Sequence, residues 1–139
     1  MRMVFFCSIA IALTACGSNA ATSAFRAGSL SPTCGPAGGS AVRLVLADGE
    51  LTCETPEPAT HITIWAQGTS LDEVEIARAH GAERCIEGAC ASIVGGTVHT
   101  LRAEADRSEV RWSLELADGA HDEGTAWVRV CAALAHPCR

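Results

Sequence analysis

The chain has 139 residues, 48% of them hydrophobic, with 16 acidic side chains against 10 basic ones and a formal net charge of -6. That length holds one domain with a modest core and excludes a multi-domain enzyme. Every basic residue is Arg, and an acidic surface repels phosphate backbones, so no nucleic-acid partner is expected.

Residues 1–15 carry Arg2 followed by an apolar run from Val4 to Ala15, the pattern of a secretion signal and too short for a spanning helix. The four residues Leu13-Thr14-Ala15-Cys16 resemble the lipobox of bacterial lipoproteins. The resemblance implies lipidation of Cys16, a membrane anchor, and a mature chain starting at that cysteine. Gly17 in place of an Asp resembles the class passed to the outer membrane of Gram-negative cells. Residues 16–40 are rich in Gly, Ala, Ser and Thr without a period of 2 or 3.6, and read as a flexible tether. The domain is then 41–139.

Within it, Val42, Leu44 and Leu46 alternate with Arg43, Val45 and Ala47, and Asp48-Gly49 supplies a hairpin turn signal before Leu51-Thr52-Cys53-Glu54. A two-residue turn would put Leu46 opposite Leu51 and Leu44 opposite Cys53, aiming Cys53 at the core. Ile62 and Ile64 mark another strand. Residues 70–80 carry both a capping box at Ser70-Glu73 and the strand-like alternation Glu73-Val74-Glu75-Ile76; the neighbouring strands favour a strand over a short helix. Glu87-Gly88 is a two-residue turn between Cys85 and Cys90. Val98–Ala105 and Val110–Leu116 continue the alternation, and a second Leu-Ala-Asp-Gly at 116–119 turns the chain back through Ala126 to Cys131. The fold class is mainly β, an antiparallel sandwich or small barrel of seven or eight strands. In outline it resembles the small cysteine-rich lipoproteins of high-GC Gram-negative bacteria, a resemblance that transfers no active site.

Six cysteines remain in the domain and at its entrance: Cys34, Cys53, Cys85, Cys90, Cys131 and Cys138. An even number in an oxidising compartment reads as up to three disulfides. The Glu87-Gly88 turn places Cys85 opposite Cys90 at a distance suited to a bond. Cys131 with Cys138, and by elimination Cys34 with Cys53, complete the expected set. A zinc site at Cys85, Cys90 and His80 or His99 lacks a second pair of closely spaced cysteines, so no metal and no cofactor are expected.

No GxSxG elbow, phosphate loop or HExxH motif is present, so no catalytic residue is assigned. His61, His80, His99 and His136 are scattered singly, and His121-Asp122-Glu123 reads as a solvated loop. Residues 54–60 and 117–124 are the segments in which a small hydrolase or a hydrolase inhibitor would carry its loop. Trp112 falls on the core parity, whereas Trp65 and Trp127 fall on the opposite one, the latter beside Arg129; exposed Trp near Arg is a contact surface for a protein or a sugar ring. The reading that joins these signals is a non-enzymatic lipoprotein of the cell envelope, acting by protein contact or as an envelope component. A cell-wall or surface glycan-binding module using Trp65, Trp127 and Arg129 is the alternative.

Overall fold

The computed structural model describes residues 23–132 and 138–139; the expected signal segment, the expected lipidation site at Cys16, and His136 lie outside them. Strands are β1 (Ala27–Cys34), β2 (Ser40–Ala47), β3 (His61–Gln67), β4 (Glu73–Glu75), β5 (Gly81–Ile86), β6 (Ala89–Ala103), β7 (Arg107–Leu116) and β8 (His121–Val130). Seven of them close a barrel in the order β6-β5-β3-β2-β1-β8-β7 with β7 returning to β6, and β4 flanks β6. All pairings are antiparallel except β1 with β8. Closure leaves the seven strands without a free edge over their paired lengths.

The alternation explains the interior. Leu44 and Leu46 of β2, Ile62 and Ile64 of β3, and Val110, Trp112 and Leu114 of β7 are all buried in one cluster, each contributing about 1.5–3 kcal/mol by leaving water. Trp112 of β7 lies over its cross-strand partner Gly124 of β8, where any side chain would overlap the indole ring. Its Nε1 donates to Asp122 Oδ1 at 2.8 Å, and Arg84 Nη1 lies 3.9 Å from Asp122 Oδ2, so the buried indole N–H and the carboxylate satisfy one another. β6 is longer than a usual strand because it serves three neighbours: residues 89–92 pair with β5, residues 97–99 with β4 and residues 93–103 with β7. The β7 ladder shifts register at Ile93/Gly95 and at Thr100/Arg102, and beside the first shift Gly96 has φ 108° and leaves no room for a side chain against the Ser113 carbonyl; a bulge at glycine turns the strand around the barrel.

Three expectations change. Residues 27–34 are not tether but β1, a strand between β2 and β8. Their small side chains hid the strand: Leu46 and Val128 fill the interior directly over Gly28, so β1 needs no bulky residues of its own. Pro32 is tolerated because the β8 ladder ends at Leu30, leaving that side of β1 as an edge. The hairpin expected at 46–54 does not form. β2 is flanked by β1 and β3 instead, with Leu46 opposite Ile62 and Leu44 opposite Ile64, and Cys53 is exposed. Residues 70–80 keep the strand that the alternation favoured, as the short β4, followed by a single 3₁₀ turn at Ile76–Arg78, with Leu71 and Ile76 buried against the core.

The third change is in the disulfides. Cys85 pairs with Cys90, as the turn requires, with α carbons 4.0 Å apart. The others are Cys34 with Cys138 and Cys53 with Cys131. Barrel closure decides this: the parallel β1–β8 pairing sets the Cys131 N–H on the Leu30 carbonyl at 2.8 Å, and the chain after β2 folds back far enough for Cys53 to meet Cys131.

Candidate functional site

Residues 48–60 lie along the outside of β2 and β3. Leu51 covers Val45 and Ala47 in a second small cluster, and the segment ends over the outward side chains of β3. There Glu57 is the hub. Its Oε1 accepts from the Thr63 hydroxyl at 2.6 Å, is paired with Arg43, and lies 3.7 Å from His61 Nε2. Burial alone would raise the Glu57 carboxyl, but the Thr63 hydroxyl, the Arg43 guanidinium and His61 outweigh it and hold the group below the ordinary glutamate range. Arg43 also stands over the Trp65 ring, 5.5 Å from its centroid, a cation–π contact.

His61 is only 8% exposed. Its Nδ1 is 2.6 Å from the Pro58 carbonyl oxygen; because a carbonyl only accepts, Nδ1 carries a proton, and Nε2 is the nitrogen that gains or loses one as the ring passes between imidazolium and imidazole. That buried Nε2 has no hydrogen-bond partner among the described residues. The imidazole forms, with Glu83 and Cys85, a group in which one ring nitrogen, a carboxylate oxygen and the Cys85 sulfur lie within 4.8 Å of one another. The imidazole beside the Cys85–Cys90 pair is therefore His61. His80 instead sits against Gly35, and His99 lies in register with Glu73 and Arg111. With Cys85 in a disulfide there is no thiolate to hold zinc.

The second feature is an open depression of about 290 Å³ whose lining includes Glu50, Leu51, Asp106, Arg107, Trp127 and Arg129. Arg107 and Arg129 are cross-strand partners on β7 and β8. Arg107 lies over the Trp127 ring at 4.5 Å and is held by Glu104 through Nε at 2.6 Å and Nη2 at 3.4 Å. Those hydrogen bonds and the Glu104 charge push the Arg107 guanidinium further up. Arg129 Nη2 is 3.6 Å from Glu50 Oε1. This site is two-signed, with an aromatic wall.

Trp65 and Trp127 are both half-buried, each with an arginine over its ring. They do not share one surface. Following the pairings from Trp127 through Ala27 and Ala47 reaches His61, so Trp65 lies three strands across and four residues along, about 14 Å and about 13 Å on ordinary sheet spacings. No single sugar ring spans both. Asp122 of the expected His121-Asp122-Glu123 loop is 7% exposed and engaged with Trp112, which makes it part of the core and corrects the solvated reading for that residue, whereas His121 and Glu123 are exposed. The sequence placed Trp127 and Arg129 side by side. It did not disclose Arg107, Glu57, Thr63 or Glu83, although the alternation of His61, Thr63 and Trp65 with Ile62 and Ile64 marks a polar outer face needing a cover.

No protein-family model, curated protein or solved structure matches the chain. The fold and its sites define a disulfide-stapled, seven-stranded closed barrel with a filled interior and functional candidates on its outer wall.

Proposed function

We propose that the protein is a non-enzymatic lipoprotein of the cell envelope, anchored through lipid on Cys16, most naturally at the outer membrane, and acting by contact with an envelope protein at the Trp127 depression. The observation that carries this reading is the oxidation of all six domain cysteines into three disulfides, two of them joining segments 104 and 78 residues apart. Such frameworks persist in oxidising compartments, where the lipobox resemblance also directs the chain. The interior is occupied by side chains, so recognition falls to the outside. Of the outer features, the depression offers a tryptophan wall and two arginines, the residue types that dominate protein contacts. The glycan-binding alternative rests on the same Trp127.

Two measurements test this. The intact mass of protein extracted from its native membrane should show a lipid-sized increment on a chain beginning at Cys16; an unlipidated mass removes the anchor. A photo-crosslinking residue at position 127 should yield a discrete protein adduct in cells, and the same residue at position 65 should not. Retention on peptidoglycan that disappears in Trp127→Ala would replace the protein partner with a glycan. Identical behaviour at both positions would remove the depression as the site.

A further inference from the structure

The three disulfides do not carry equal weight in the fold. Cys34–Cys138 and Cys53–Cys131 close separations of 104 and 78 residues, whereas Cys85–Cys90 closes a separation of 5. The hairpin between them is set by its own backbone. Glu87 and Gly88 take φ 50° and 85°, the two positive values of a type I′ turn, and β5 and β6 pair from Ile86↔Ala89 to Glu83↔Ser92. Cys85 and Cys90 would remain opposite one another with the bond broken.

The two sulfurs also differ in surroundings. Cys85 is 1% exposed and Cys90 is exposed, next to Ile86, an apolar side chain left 44% exposed at the hairpin end. On the buried side stands the His61 imidazole, with a ring nitrogen within 4.8 Å of the Cys85 sulfur, its Nδ1 held by Pro58 and its Nε2 without a hydrogen-bond partner among the described residues. The covering segment is tied to this hairpin as well: the Gly88 N–H donates to the Ala59 carbonyl at 2.9 Å and the Glu87 N–H to the Thr60 hydroxyl at 3.0 Å. Exchange needs one accessible sulfur to attack and a stabilised leaving sulfur, and this pair presents both.

We propose that Cys85–Cys90 is a redox-active disulfide that accepts two electrons from a dithiol on a partner protein, with Cys90 as the attacked sulfur and His61 as the proton donor to Cys85. One partner thiol gives its proton to solvent and its thiolate attacks Cys90 Sγ. The Cys85–Cys90 bond breaks, its electron pair leaves on Cys85 Sγ, and that thiolate takes a proton from the His61 imidazolium, leaving the neutral ring, which water reprotonates once the hairpin has opened. The second partner thiol, deprotonated, attacks the partner's sulfur in the mixed disulfide and expels Cys90 as a thiolate, which solvent protonates. The partner leaves as a disulfide and the barrel holds two thiols. Glu57 on the covering segment and Glu83 on β5 face the imidazole, with Arg43 on β2 behind Glu57.

The test uses the folded domain with dithiothreitol as the dithiol and with glutathione as a monothiol probe, read by alkylation and peptide mapping. Cys85 and Cys90 should become alkylatable at least tenfold faster than the other four cysteines, and the glutathione adduct should sit on Cys90. Equal rates for all three disulfides, or an adduct on Cys85, overturn the proposal. His61→Gln should slow opening of this one bond about tenfold, the low end for loss of a proton-transfer group, and flatten its pH–rate profile while leaving the other two bonds unchanged. An unchanged rate and profile in a folded His61→Gln chain overturn the role of His61. If that variant does not fold, the pH–rate profile of the wild-type bond decides: a single titration step absent from the other two bonds supports the role, and parallel profiles for all three overturn it.

Discussion

Leu-Ala-Asp-Gly occurs at residues 46–49 and again at 116–119, and the chain does opposite things after it. After the second copy it turns sharply: the Gly119 N–H donates to Leu116 at 2.9 Å, the Leu116 N–H to Ala120 at 2.8 Å, and Asp118 Oδ1 accepts from Ala120 at 2.9 Å. Gly119 supplies φ 83°, and β8 then runs back along β7 for nine paired residues. After the first copy the chain leaves the sheet. Gly49 is not among the glycines with positive φ, and residues 50–60 cross the outside of the barrel. A turn tetrapeptide permits a hairpin; the returning segment decides it. Residues 121–130 offer a full alternating strand, whereas Leu51–Glu54 are followed by Pro56 and Pro58, which cannot donate to a ladder. Strands β1 and β3 meanwhile fill both edges of β2.

The largest effect should come from cutting the staple that fixes the first return path. In Cys53→Ser with Cys131→Ser, removing a 78-residue constraint should lower the unfolding free energy by about 4 kcal/mol on the loop-entropy model, measured by denaturant titration. Protease cleavage should then concentrate in residues 50–58, while amides of β7 and β8 keep their hydrogen-exchange protection. Loss of β7–β8 protection in step with the loop would mean that the two regions are not independent.

The same contrast shows what is legible in the sequence. β7 and β8 announce themselves because Val110, Trp112, Leu114 and Leu116 face the core on a strict period of 2, and the Cys85–Cys90 bond because a two-residue turn fixes its register locally. β1 is silent: Gly28 lies beneath Leu46 and Val128, so its pattern is written in its neighbours' side chains. The two long disulfides depend on which strands close the barrel, which no local pattern contains. For the sites, Trp127 and Arg129 are two residues apart on one strand and are visible together, while Arg107 arrives from the partner strand. The Glu57 cluster depends on where residues 48–60 come to rest.

An intermediate effect separates the two turns directly. Gly119→Ala forces a side chain into left-handed backbone and should cost about 1–2 kcal/mol. Gly49→Ala, with nothing within 4 Å of the added carbon and no positive φ, should lie within about 0.5 kcal/mol of wild type. Comparable losses at both positions, read from unfolding midpoints at constant slope, would show that residues 48–49 are a tight turn after all.

The smallest effect concerns what holds the first segment against the barrel once the disulfide is intact. Glu57 titrates below the ordinary range because its ionised form is the one that Thr63, Arg43 and His61 stabilise. A carboxyl depressed in the folded state stabilises that state above its unfolded value and loses the contribution as pH falls through the folded one. The clamp should therefore be fully present above about pH 5 and released progressively below about pH 4, given an unperturbed glutamate near 4.3. Hydrogen exchange at Thr60 to Thr63, corrected for intrinsic rates, should show loss of protection across that window in the wild type. Glu57→Gln keeps a hydrogen-bond acceptor for Thr63 but has no charge to lose, so its protection should be weaker at neutral pH and insensitive to acid. Equal acid sensitivity in both proteins would place the clamp elsewhere, in Leu51 against Val45 and Ala47, and would make the outer segment of the barrel an apolar cover instead of an ionic one.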